Sequence, residues 1–283
     1  MAMVQERHCH LTTLLKVVRM SRSTYYYEMN KSDVDDKNKG LIESIIEIFK
    51  THKQNYGVRR VYHELVNQGV KVNHKLVQRV MKKLGLSALK HPQKYHSYQG
   101  HIGAVADNHL KRDFKVITPN KKWTTDISQF SFTWGKCYLS PILDMYNDEI
   151  VSHDLSLVAN FNQIERMLDG AKLDDISIRD LIFHSDQGWQ YQNPRYVEAL
   201  KKHGIKQSMS RKGNCFDNAI MESFFGIMKN EIYYGHETEY KSFDEFQKVV
   251  NEYIDYYNNI RIKQRTAWLS PVQYRMMNYA IIT

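Results

Sequence analysis

Trp123-Thr124-Thr125-Asp126-Ile127-Ser128-Gln129-Phe130-Ser131-Phe132 opens the part of the chain where helical spacing of apolar residues gives way to β-branched and aromatic runs. Two more such runs follow, Cys137 to Leu143 and Ile150 to Leu157, joined by the turn-like Trp134-Gly135-Lys136 and Tyr146-Asn147-Asp148. The pattern predicts an antiparallel meander of three strands. Beyond it the periodicity alternates: a helix over Phe161 to Leu173, a buried strand over Leu181 to His184, and a helix over Pro194 to His203. A strand over Ile205 to Ser208 and a helix from Asn218 to Tyr233 complete the series.

Asp126 falls inside the first strand. Asp186 follows the buried strand in Phe183-His184-Ser185-Asp186-Gln187-Gly188, and Glu222 lies one turn into the last helix in Asp217-Asn218-Ala219-Ile220-Met221-Glu222-Ser223-Phe224-Phe225. Fifty-nine residues separate the first two acids and 35 the last two. Clustered carboxylates gather divalent cations, and two cations roughly 3.5–4 Å apart activate an attacking oxygen and stabilise the leaving one in phosphodiester chemistry. Hard oxygen donors select Mg²⁺, two ions here, with Mn²⁺ as a substitute. Taken singly, each acid has an ordinary reading: an Asp after a strand caps a turn, and a Glu in a first helical turn complements the helix dipole. Asp144, Asp148 and Glu149 fall at a predicted turn, where solvated acids are routine, and Asp217 reads as part of the N-cap of the last helix.

The three acidic motifs stand in order with Tyr56-Gly57-Val58-Arg59-Arg60, with Tyr257-Asn258-Asn259-Ile260-Arg261-Ile262-Lys263, and with Leu269-Ser270-Pro271. In that order they resemble the DDE transposases of a bacterial insertion-sequence family, products of a second reading frame, which are related to retroviral-type integrases. The resemblance runs over most of the chain. It implies an α/β fold: a ribonuclease-H-like catalytic core, a mixed five-stranded sheet with flanking helices, preceded by an all-α helix-turn-helix module. It also implies a transposase that cuts at the ends of its element and joins the freed 3′-hydroxyl to DNA by transesterification. Asp126, Asp186 and Glu222 are then the catalytic and metal-binding residues, with Asp126 bridging two Mg²⁺ ions, Asp186 holding one and Glu222 the other. An oligomer on DNA and a fusion to the upstream reading-frame product are further implications. Lys263 departs from the family, where many relatives carry His.

Upstream of the strands the chain reads as helices. Leu41 to Lys50 sets apolar residues at helical spacing, Val58 to Asn67 follows and stops before Gly69, and His74 to Leu84 begins after a plausible N-cap at Asn73 and ends before Gly85. In the third of these, Leu76, Val77, Val80, Met81 and Leu84 make one apolar stripe. His74, Lys75, Gln78, Arg79, Lys82 and Lys83 are left outward, a basic and amide-bearing face suited to the major groove; a merely solvated surface helix has the same pattern. Arg59 and Arg60 add cations to this module. Further DNA contacts are expected from Gln187, Arg211, Lys212 and Asn218 around the acids, and from Arg261 and Lys263 interleaved with Tyr253, Tyr256 and Tyr257 in the tail. Trp189 either meets a DNA end or packs as core.

Length and composition bound these expectations. The 283 residues allow one substantial core with small modules. The sequence predicts segments 1–38 (helical segment and linker), 39–90 (helix-turn-helix), 91–118 (basic linker), 119–235 (catalytic core) and 236–283 (helical tail). The net charge of +9 is uneven: residues 1–119 hold 21 basic and 10 acidic side chains, and residues 120–283 hold 19 and 21. The positive field therefore belongs to the N-terminal part and suits phosphate. Cys9, Cys137 and Cys215 form no Cys-x-x-Cys pair, and His8-Cys9-His10 has no second cluster, which argues against disulfides and structural zinc. No apolar stretch reaches the roughly 20 residues of a membrane span and no signal-peptide pattern opens the chain, so a cytoplasmic, nucleoid-associated protein is expected. Two other readings share these features: a DNA-binding regulator or incomplete enzyme that needs an upstream fused segment, and a ribonuclease-H-type nuclease acting on hybrids.

Overall fold

Period-two and period-3.6 segments map onto strands and helices in the computed structural model, which describes residues 11–26, 38–89, 106–110, 113, 115–173, 178, 180–210 and 218–282. The chain divides into two compact units, residues 1–88 and 89–283.

The first unit is helical. After α1 (Leu11–Val17) come α2 (Lys39–Thr51), α3 (Val58–Asn67) and α4 (His74–Lys83). Ile45, Ile48 and Phe49 of α2, Val61 and Leu65 of α3, and Val77, Val80 and Met81 of α4 are buried. Asn73 caps α4, its side chain accepting from the Lys75 N–H at 2.8 Å, and Gly69 and Gly85 take the positive φ that ends the two last helices. Leu84 departs from the predicted stripe: it stands past the end of α4 and is exposed.

In the second unit, β1 (Lys122–Thr125) and β2 (Ser128–Phe132) both pair antiparallel with β3 (Gly135–Asp144), in one unbroken register from Trp123 opposite Asp144 to Phe132 opposite Gly135. They are one strand interrupted at Asp126 and Ile127, where the sequence pattern predicts a continuous strand. The cause lies across the ladder. The Met145 N–H donates to the Lys122 carbonyl at 2.9 Å, so every second pair from there is a hydrogen-bonded pair, and the register brings Pro141 opposite Asp126. Proline has no N–H, and the bond it would have donated to the Asp126 carbonyl is missing. Replacing Pro141 with Val is expected to close this gap: the new amide at position 141 should exchange with solvent as slowly as its strand neighbours. Fast exchange there would contradict the account.

β4 (Glu149–Ser156) pairs antiparallel with β3, while β5 (Ile182–Ser185) runs parallel to β1 and β6 (Lys206–Met209) parallel to β5. With β1 and β2 counted as one, the sheet is mixed and five-stranded in the order expected of a ribonuclease-H-like core. Helices cover both faces. Trp123, Ile142 and Phe183 pack against α5 (Phe161–Gly170) and α6 (Pro194–Lys202). Phe130, Leu139 and Leu143 pack on the other face against α7 (Ala219–Ile232) and α8 (Phe243–Asn259). The alternation sets the parity of the site: Thr124, Asp126 and Phe130 share the α7 face. Because Phe246, Val250, Tyr253, Ile254 and Tyr257 of α8 lie in that same core, residues after 235 are built into the unit.

The acids at the β3–β4 turn are held inside, contrary to the expectation of solvation. Asp144 is fully buried, accepts from the Asn120 and Tyr146 amides at 2.9 Å each, and pairs with Arg275 of α9 (Pro271–Ile282) at 2.6 Å. Asp148 pairs with Lys263 and Arg265. No helix among the described residues is long and apolar enough to cross a membrane.

Candidate active site

Asp126 occupies the gap in the first strand, half-buried, and its Oδ1 accepts from the Ile127 amide at 2.7 Å. Asp186 follows β5 directly, and its Oδ1 accepts from the Gly188 amide at 2.8 Å. Glu222 lies in the first turn of α7. Thr124 Oγ1 donates to Asn218 Oδ1 at 3.0 Å, so the strand before Asp126 and the helix start before Glu222 are tied together in the interior. Asn218 is spent on this bond and does not cap its helix.

Asp126 feels the other two acids. Burial first, then the Asp186 carboxylate and to a lesser extent Glu222, push the Asp126 carboxyl up to about 8. Burial likewise raises Asp186, against the pull of the Gly188 amide. Lys229 stands two turns after Glu222 on α7 and partly offsets this charge. Its ammonium donates to the Gln129 carbonyl at 3.1 Å and lies 5.0 Å from the Phe130 ring, and burial lowers its own pKa while Asp126 opposes that shift. Sequence reading missed Lys229; its position seven residues beyond Glu222, on the same helical face, is the signal that marks it. The free edge of β2 is closed from the same helix: Tyr233 Oη accepts from the Ser131 N–H at 3.0 Å and donates to its carbonyl at 2.8 Å.

Further support lies beneath. Buried His184 sits between Ser208 Oγ at 2.9 Å and Ser210 Oγ at 3.1 Å, and Gln187 Nε2 donates to the Ser210 carbonyl at 3.0 Å. Tyr191 Oη lies 3.4 Å from Thr125 Oγ1, one residue from Asp126. Oxygen donors of this kind suit Mg²⁺ in chemistry, and a carboxyl raised by burial and by like-charged neighbours is the state a cation would relieve. Among the described residues, however, no group of three His, Cys, Asp or Glu side chains is arranged to hold a metal ion as it stands. Two of the carboxylates accept instead from nearby backbone amides, Asp126 from Ile127 and Asp186 from Gly188.

The expected DNA-facing residues separate into groups. Arg59, Lys75, Gln78, Arg79, Lys82 and Lys83 are exposed on the helical unit. Arg60 lies over the Tyr56 ring at 5.5 Å, and His74 meets the Tyr62 ring edge-on at 5.4 Å. Arg211 and Lys212 lie outside the described residues, as do Asp217 and His8 to His10. Arg261 and Lys263 contradict the expectation. The Arg261 side chain is 1% exposed and grips the Glu231 carboxylate from two nitrogens, Nη2 at 2.6 Å and Nε at 3.0 Å. Lys263 is buried against the Tyr257 hydroxyl and Asp148. Their charges are matched inside the fold, where no phosphate reaches them.

Residues 35–95 match the family described as HTH-like domain, and residues 118–215 and 222–279 match Integrase core domain families. The chain is 44% identical over 269 residues to the putative transposase InsK for insertion sequence element IS150 of Escherichia coli K12, covering 95% of this chain and 94% of that protein. It is 51% identical over 217 residues to an uncharacterized transposase-like protein of Haemophilus influenzae, covering 74% and 96%. Transposase InsF for insertion sequence IS3A of E. coli K12 is 31% identical, covering 95% of each. Among solved structures, the HTLV-2 integrase catalytic core domain in complex with magnesium aligns at 17% identity with a TM-score of 0.44, covering 57% of this chain and 99% of that one.

Proposed function

This chain belongs to the transposases of bacterial insertion sequences, and on that basis we propose that it is a DDE-type polynucleotidyl transferase that nicks DNA at its element's ends and joins the 3′-hydroxyl to target DNA. The observation that carries the reading is the placement of the three acids: Asp126 at the end of β1, Asp186 at the end of its parallel neighbour β5, and Glu222 in the first turn of α7, whose start is tied to β1 by the Thr124–Asn218 bond. Asp126, Asp186 and Glu222 are the residues that would hold Mg²⁺, after Asp126 and Asp186 release the Ile127 and Gly188 amides. When bound, the cations supply Lewis acidity at the phosphate and lower the pKa of the attacking hydroxyl. The chain's own part is to fix where the phosphodiester sits: the Thr124–Asn218 bond ties strand to helix, and Lys229 sets a cation beside the acids for a DNA phosphate. The test is nicking and joining of a duplex carrying the element's end, in Mg²⁺ and not in chelator; an unchanged duplex would sink the reading.

The helical unit supplies DNA affinity through the exposed face of α4. With Lys82 and Lys83 both replaced by Gln, the slope of log affinity against log salt should flatten by about 2, since each phosphate that is no longer neutralised removes about 0.9 from it. Binding titrations across salt concentrations measure it, and an unchanged slope would remove α4 from the interface. The chain acts on DNA as an oligomer, as pairing two element ends requires. A regulator or a chain needing the upstream fused segment is the second reading, and DNA binding without nicking would favour it.

A further inference from the structure

Trp189 is 53% exposed, three residues after Asp186. Two other tryptophans are used inside the fold: Trp123 is 1% exposed in the core, and the Trp134 indole donates to the Tyr240 carbonyl at 3.1 Å. Trp189 does not sit on a loose loop. It opens a short 3₁₀ turn, Trp189–Gln192, whose other residues are fixed. The Tyr191 amide donates to the Gly188 carbonyl at 3.1 Å, Gln207 Nε2 donates to the Tyr191 carbonyl at 2.7 Å, and Tyr191 is fully buried. Gly188 allows the approach: a Cβ there would stand 2.4 Å from Gln190 Nε2. A rigid turn thus holds an indole outward, on a residue whose Cα lies within about 10 Å of the Asp186 Cα by chain length alone.

An aromatic face displayed to solvent beside phosphodiester-cutting acids suits a base. Inside a continuous duplex, as where the element's end joins flanking DNA, the bases stack on both sides and offer no free face, so there only an unpaired or everted base can receive the ring. We propose that Trp189 stacks on an unpaired base at the DNA end held at Asp126, Asp186 and Glu222, so that the chain works on a locally melted end. The proposal rests on the catalytic reading of those three acids.

A double-mutant cycle in chelator tests it without requiring cleavage. The full-length parent and its Trp189→Ala and Trp189→Phe variants are titrated with a duplex bearing the terminal sequence of the element that encodes the chain. The same duplex is then used with abasic sites placed in turn along its last nucleotides. On the intact duplex, Trp189→Ala should bind about 5- to 100-fold more weakly and Trp189→Phe within a few-fold of the parent. At one abasic position the parent should fall to the Trp189→Ala affinity, while the variant loses nothing further. Emission that the parent has and Trp189→Phe lacks should be quenched by the intact duplex. Equal losses at every abasic position, or no loss in Trp189→Ala, overturns the proposal; so does quenching that appears on concentrating the chain without DNA, which would mean that a second copy covers the ring. If the coupling holds but the parent fails to nick the duplex in Mg²⁺, the catalytic reading fails and the stacking contact stands; nicking without coupling fails only the contact.

Discussion

Glu231→Ala is expected to unfold the second unit about 6–20 °C lower in thermal denaturation, from a loss of about 3–5 kcal/mol. The cause is the charge left behind. Arg261 is buried on the far side of the pair, with Tyr253 Oη also donating to the Glu231 carboxylate at 3.0 Å, and without Glu231 its guanidinium loses the one anion paired with it among the described residues. Replacing both partners with apolar residues, Glu231→Leu with Arg261→Met, should recover most of the loss, because neither charge then remains to be desolvated. A double variant as unstable as the single one would show that packing, and not the ion pair, holds the tail. The functional consequence runs along α7: Glu231 anchors the end of the helix whose first turn carries Glu222, so the single variant should also lose strand joining before it loses the fold.

Asp126→Asn is expected to lower strand cleavage by about 10³-fold or more, the loss that accompanies removal of several kcal/mol of metal-dependent stabilisation. The same change should stabilise the metal-free chain. The Asp126 carboxyl is raised from 3.8 to about 8 in the fold, so in the unfolded chain it ionises at a lower pH than in the native one. Its contribution to stability is therefore greatest below pH 4 and is lost as the pH rises towards 8. Asn does not titrate. In chelator, the variant should match the parent near pH 4 and exceed it by several kcal/mol, up to about 6, above pH 8. Denaturant titrations across that window give the answer. Parallel curves for the two proteins would mean that Asp126 is not held beside Asp186 and Glu222 in the folded chain.

Much of this architecture is legible in the sequence because it depends on local patterning. Val58 to Asn67 forms a helix with the bounds its periodicity predicts, and Asn73 caps α4 as its side chain suggests. The strand alternation carries the sheet, and with it the parallel strand ends at which Asp126 and Asp186 stand. What escapes is set by partners distant in sequence. The break at Asp126 comes from Pro141 across the ladder, a residue that stands in plain view in a run with strand patterning. Asp144 has the local setting of a solvated turn residue because its partner, Arg275, lies 131 residues away. The basic and aromatic tail has the composition of a nucleic-acid surface, yet Arg261 and Lys263 are turned inward by Glu231 and Asp148, which composition does not reveal. Trp189 is ambiguous in sequence between core and surface. The packing of Gln190 and Tyr191 around it decides for the surface.

The central claim is that three acids at one sheet edge carry out phosphodiester chemistry, and strand cleavage and joining on an end-labelled duplex in Mg²⁺ tests it most directly. The parent chain is compared with Glu222→Gln, which keeps the size and the helix but loses one carboxylate. Nicked and joined products from the parent, with neither from a variant that still binds the duplex, is the predicted result. Joined product from Glu222→Gln at the parental rate would contradict the account.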